Sequence, residues 1–117
     1  MNYILVVDDE KIIADVIKDT LEHFGYKVAV ACNGEEGLEY FNSHRFKLVI
    51  TDIIMPVMDG IELARSIRNS AKPDIPIIAI TGFFGKNDIE MDLFNSVISK
   101  PFKLPILEKT DGQNLES

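Results

Sequence analysis

Short apolar runs and amphipathic stretches alternate along this chain. Residues 3–7 (YILVV) are continuously apolar and β-rich, as expected of a strand covered on both faces. From residue 10 to 24, Ile12, Ile13, Val16, Ile17, Leu21 and Phe24 recur near the helical period, which predicts a helix with those positions inward. Asp8 or Asp9 is placed to cap its start, and Gly25 to end it in a left-handed conformation. Residues 26–32 (YKVAVAC) alternate and predict a second strand. Asn33 and Glu36 have capping-box spacing and open a helix to residue 43. Gly34, Gly37, Leu38 and Phe41 share one face of it, where the glycines allow close approach to a sheet. Residues 47–51 (KLVIT) predict a third strand, followed by Asp52 and a loop containing Pro56. A helix over 59–69 then places Ile61, Ala64 and Ile67 on one face. Residues 76–81 (PIIAIT) predict a fourth strand, with Pro76 at its first position. A glycine-bounded segment, 82–85, leads to a short helix over 87–94, and 97–99 (VIS) predict a short fifth strand. After Lys100-Pro101-Phe102 comes a brief last helix that Gly112 interrupts. Residues 111–117 read as a polar, disordered tail.

Repeated strand–helix alternation predicts an α/β fold with a parallel sheet. Right-handed crossovers then put helices on both faces of it. In such sheets ligands bind outside the carboxyl ends of the strands. Here those ends carry Asp8-Asp9-Glu10, Asp52, Thr81 and Lys100. Taken singly, each has an ordinary structural explanation: a capping run, a turn aspartate, a local threonine turn, a solvated lysine. Their joint placement at four strand ends is what carries weight. Carboxylates crowded at one rim repel each other, and a hard divalent cation relieves that repulsion. Mg²⁺ fits best, because it takes one or two carboxylates, keeps waters and completes its shell with phosphate oxygens. The rim has no cysteine or histidine, which disfavours zinc. A carboxylate and a phosphate donor are both anionic, and a cation with an ammonium group neutralises their encounter. The rim therefore suits phosphoryl transfer to an aspartate.

Composition narrows the classes further. The 117 residues suit one domain, and 46% hydrophobic with 26% charged residues is a globular balance. Twelve Lys+Arg against 19 Asp+Glu give a net charge of −7 with no basic run, which argues against direct nucleic-acid binding. The single cysteine, Cys32, excludes an internal disulfide and points to a reducing compartment, the cytoplasm. It reads as a small buried hydrophobe at a strand end. Apolar runs fall far short of the roughly 18–20 residues that span a bilayer. No basic segment precedes an apolar one at the N-terminus, so no membrane segment or signal peptide is expected. His23 reads as complementing the dipole at a helix C-terminus, His44 as a surface residue, and Phe83-Phe84 as either core or an exposed contact patch.

Four segments together resemble the receiver domain of bacterial two-component response regulators. They are ILVVDDE (4–10), LVITDIIMPVMDG (48–60), AITG (79–82) and KPF (100–102). The resemblance implies a doubly wound five-stranded parallel sheet of order 2-1-3-4-5 over residues 1–110, from whose pattern the short fourth and fifth helices of this chain depart. It implies Asp52 as phosphoacceptor, with Asp9, Asp52 and the Ile54 backbone carbonyl as Mg²⁺ ligands and Asp8 acting through a bound water. Thr81 and Lys100 would contact the phosphoryl oxygens. The implied partner is a histidine kinase or phosphotransfer protein, with an unidentified downstream protein target. The chain would act on itself rather than turn over a separate substrate, as a monomer or weak dimer. It would be a stand-alone regulator or a receiver excised from a longer one. A phosphorylation-independent interaction module, a pseudo-receiver, is the alternative. Val97 stands where many receivers carry a switching aromatic, and the 81–100 segment is short for the family. Apolar Ile54 and Phe83 flank the acceptor, which implies slow loss of the phosphoryl group by hydrolysis.

Overall fold

A computed structural model describes residues 3–81 and 91–99. Its elements are β1 (Tyr3–Val7), α1 (Lys11–His23), β2 (Val28–Ala31), α2 (Gly34–Ser43), β3 (Phe46–Asp52), α3 (Gly60–Arg68), β4 (Ile77–Thr81) and β5 (Ser96–Ser99). A 3₁₀ turn, Met91–Leu93, leads into β5. The strands form one parallel sheet in the order β2-β1-β3-β4-β5, as the resemblance implied. Of the short helix expected over 87–94, residues 91–94 are described, and Met91–Leu93 form the 3₁₀ turn. The expected last helix, the 110/111 boundary and the polar tail lie outside them.

Strand alternation divides the core into two layers. Leu5, Val7, Val49, Ile77 and Ala79 pack with Phe41 of α2 and Leu63, Ala64 and Ile67 of α3. Ile4, Val6, Leu48, Ile50, Ile78 and Ile80 pack on the other face with Ala14, Ile17 and Leu21 of α1. The central strands are buried on both sides, which is why they read as unbroken apolar runs. Gly37 lets α2 lie close to β1, since a Cβ there would come within 2.9 Å of a Val7 methyl. Gly25 has φ of +93°, the expected left-handed end of α1.

Three expectations need correction. The buried stripe of α1 is Ala14, Ile17 and Leu21, whereas Ile12 and Phe24 are 79% and 50% exposed and Val16 is also exposed. Residues 12 and 16 each lie two positions from Ala14, about 160° around the helix from it at the helical repeat. No single stripe can bury all the apolar residues of the run. Neither Asp8 nor Asp9 caps α1; Glu10 is the N-cap residue and makes no side-chain cap hydrogen bond. Cys32 is exposed, because it lies beyond β2 at the entry to α2. There Glu36 accepts a hydrogen bond from its backbone N–H at 3.0 Å.

Candidate functional site

The parallel register builds the site. Val7 of β1 stands opposite Thr51 of β3, so the next residues, Asp8 and Asp52, emerge side by side at the same rim. Asp52 in turn stands opposite Ile80 of β4, and Thr81 closes that strand at the same edge. Asp8 and Asp52 are buried, at 3% and 6% exposure. Two carboxylates this shielded from water repel strongly unless a positive group lies among them.

Local hydrogen bonds hold each carboxylate. Asp8 Oδ1 accepts the Glu10 backbone N–H at 2.9 Å, a tight turn that closes before α1 begins. Asp52 Oδ1 accepts the Ile53 N–H at 2.7 Å. The Thr51 hydroxyl donates to the Asp52 carbonyl at 2.8 Å, and the Gly60 N–H donates to the Ile53 carbonyl at 2.7 Å. Position 60 must be glycine, because a Cβ there would run into the Asp52 carbonyl. The Asp59 side chain accepts the Glu62 N–H at 2.8 Å and caps α3, fixing the far end of the β3–α3 loop. The same end of that loop is tied to α2 by the Gly34 N–H on the Met58 carbonyl at 3.0 Å. Ile54 and Val57 project outward from the loop at 64% and 73% exposure.

The structure brings Asp8 and Asp52 together and adds Glu10. One carboxylate oxygen from each of the three lies within 4.8 Å of the others. Asp9 is exposed and stands outside that group. Lys100, Gly82 and Phe83 lie outside the described residues, and for Thr81 only the backbone is described. Glu10 is the member that the motif reading passed over, as a residue of the helix start. Its signal was its place two residues after Asp8, the reach of one tight turn. A donor set made only of carboxylate oxygens matches a hard divalent cation and not a thiophilic one. Among the described residues, no helix is long and apolar enough to cross a membrane.

Comparison with known proteins agrees with this arrangement. The family model described as "Response regulator receiver domain" matches residues 4–110. The response regulator receiver protein CpdR of Brucella abortus is 38% identical over 107 residues, covering 89% of this chain and 88% of CpdR. The probable transcriptional regulator ycf27 of Cyanidium caldarium is 42% identical over 80 residues, 68% of this chain. That match spans only 31% of the ycf27 protein. Among solved structures, the response regulator protein TrrA of Thermotoga maritima, in complex with Mg(2+)-BeF, superposes with a TM-score of 0.88. It is 37% identical, and the match covers 98% of this chain and 100% of TrrA.

Proposed function

The chain belongs to the response regulator receiver domain family, and from that premise we propose that it is a phosphorylation-operated switch of a two-component system. The phosphoryl donor is a phosphohistidine on a histidine kinase or phosphotransfer protein. An Asp52 carboxylate oxygen attacks phosphorus, the P–N bond breaks, and its electron pair returns to the imidazole, which takes up a proton. Asp52 suits this role because it is buried at the rim and oriented by the Ile53 N–H. The cation is Mg²⁺, which Asp9, Asp52 and the Ile54 carbonyl would hold directly and Asp8 through a bound water. When bound, it offsets the repulsion between these carboxylates and the incoming phosphoryl oxygens.

Thr81 and Lys100 take their roles from their places in the matched motifs. The Thr81 hydroxyl donates to one phosphoryl oxygen, and the Lys100 ammonium pairs with another. Recruiting both biases a two-state equilibrium and so changes the affinity for a downstream protein. The chain acts in the cytoplasm, as a monomer or weak dimer.

The observation that carries this reading is the pair of buried carboxylates, Asp8 and Asp52, side by side at the ends of adjacent strands. Incubation with a small-molecule phosphodonor and Mg²⁺, followed by intact-mass measurement, tests it. Wild type gains one phosphoryl adduct, and Asp52→Asn gains none. Equal labelling of the two proteins removes Asp52 as the acceptor.

A further inference from the structure

Glu10 occupies an unusual position for a glutamate. Its backbone is the N-cap of α1, with φ −89° and ψ 101°, and its carbonyl accepts the Ala14 N–H at 3.0 Å. N-cap positions favour short side chains that turn back onto the helix N–H groups. The Glu10 side chain makes no such bond. One of its carboxylate oxygens instead lies within 4.8 Å of an oxygen of both Asp8 and Asp52. Its backbone N–H is anchored on Asp8 Oδ1, so the turn itself directs the side chain over the rim.

We propose that Glu10 is a positioning residue of the divalent-cation site, supplying an outer carboxylate above the two buried ones and raising cation affinity; this rests on the cation reading of the rim given above. The three carboxylates differ in depth. Asp8 and Asp52 are buried, whereas Glu10, whose carboxylate lies beside theirs, is exposed. A strongly hydrated ion such as Mg²⁺ keeps several waters when it binds protein oxygens. An exposed carboxylate on a long side chain is suited to accept hydrogen bonds from those waters or to replace one of them.

The test is calorimetric titration of the metal-free protein with MgCl₂, paired with melting temperatures of the metal-free forms. Glu10→Gln preserves the backbone N-cap and the anchoring N–H. It is expected to weaken Mg²⁺ binding about five- to tenfold, the order expected for one nearby charge in a largely hydrated site. It is also expected to raise the metal-free melting temperature by about 2 °C, by relieving repulsion at the rim. Glu35→Gln, the same charge change at an exposed position of α2, controls for net charge and leaves the affinity within about twofold. Unchanged affinity in Glu10→Gln, or an equal loss in Glu35→Gln, overturns the proposal while leaving the rim a cation site. Failure of the wild type to bind Mg²⁺ overturns the cation reading itself.

Discussion

Val57 has φ of +70° in the β3–α3 loop, the one non-glycine residue among those described with a positive φ. It stands at the centre of a three-residue turn closed by the Met58 N–H on the Pro56 carbonyl at 2.8 Å. Such a conformation costs an L-residue about 1–2 kcal/mol, and β-branching adds crowding. The side chain is 73% exposed, so little packing offsets that cost. The strain is sustained because both ends of the loop are fixed, at Ile53 by the Gly60 N–H and at Met58 by the Gly34 N–H. Val57→Gly, which takes a positive φ without crowding from a Cβ, should therefore stabilise the protein by up to about 1 kcal/mol in urea denaturation. A variant no more stable than wild type would show that the loop relaxes at no cost.

Arg68, the last residue of α3, ties three segments together. Its Nε and Nη2 donate to the Leu93 carbonyl at 3.1 and 2.8 Å, and Nη1 donates to the Pro73 and Ile75 carbonyls at 2.7 and 2.6 Å. Nη2 also reaches Asn95 Oδ1 at 3.1 Å, and that same oxygen accepts the Ile77 N–H at 2.8 Å. The guanidinium thus fixes the entries to β4 and β5 at the end of the sheet opposite the acidic rim. Burial lowers its pKa from the usual arginine value while Asp74 opposes the shift, and arginine stays charged across the working pH range, so the clamp holds throughout it. Arg68→Met should cost about 2–4 kcal/mol, since partly buried carbonyls lose their donors. Arg68→Lys should recover only part of this, because an ammonium cannot reproduce the planar fork. Full stability with lysine in urea denaturation would refute the clamp. None of this was legible in the sequence, because most of the acceptors are backbone carbonyls, which every residue has. The strands were legible because burial on both faces leaves an unbroken apolar signature. The stripe of α1 was misread because its apolar residues outnumber the positions that one face can bury, and the small Ala14, at the centre of contact, carries little hydrophobic signal. Asp8 and Asp52 could be found because strand ends in a parallel sheet must share a rim. Glu10 carried a weaker signal, its place one tight turn after Asp8, because its approach also depends on a side-chain direction that the sequence does not state.

At the scale of the whole molecule, the sheet order puts β1 and β3 side by side within the sheet, so the acidic rim sits on its best-packed part. A chain with net charge −7 already repels itself, and two buried carboxylates concentrate that repulsion where relaxation is hardest. Folding stability and cation binding are therefore linked. A cation that binds only the folded form at a hundredfold excess over its dissociation constant stabilises it by about 2.7 kcal/mol. Asp52→Asn separates the two contributions, because asparagine keeps an oxygen for the Ile53 N–H and removes only the charge. Without metal, the variant should be more stable than wild type by about 1 kcal/mol, since one repelling partner of Asp8 is gone. With excess Mg²⁺ the order should reverse, because wild type gains the binding energy and the variant loses most of it. NaCl at matched ionic strength should act on both proteins alike, since general screening does not distinguish a single rim carboxylate from the other surface charges. Thermal unfolding of the two proteins in buffer, in NaCl and in MgCl₂ measures all three comparisons. An equal gain from Mg²⁺ in both would mean that the ion acts on the net charge of the molecule and not at the rim.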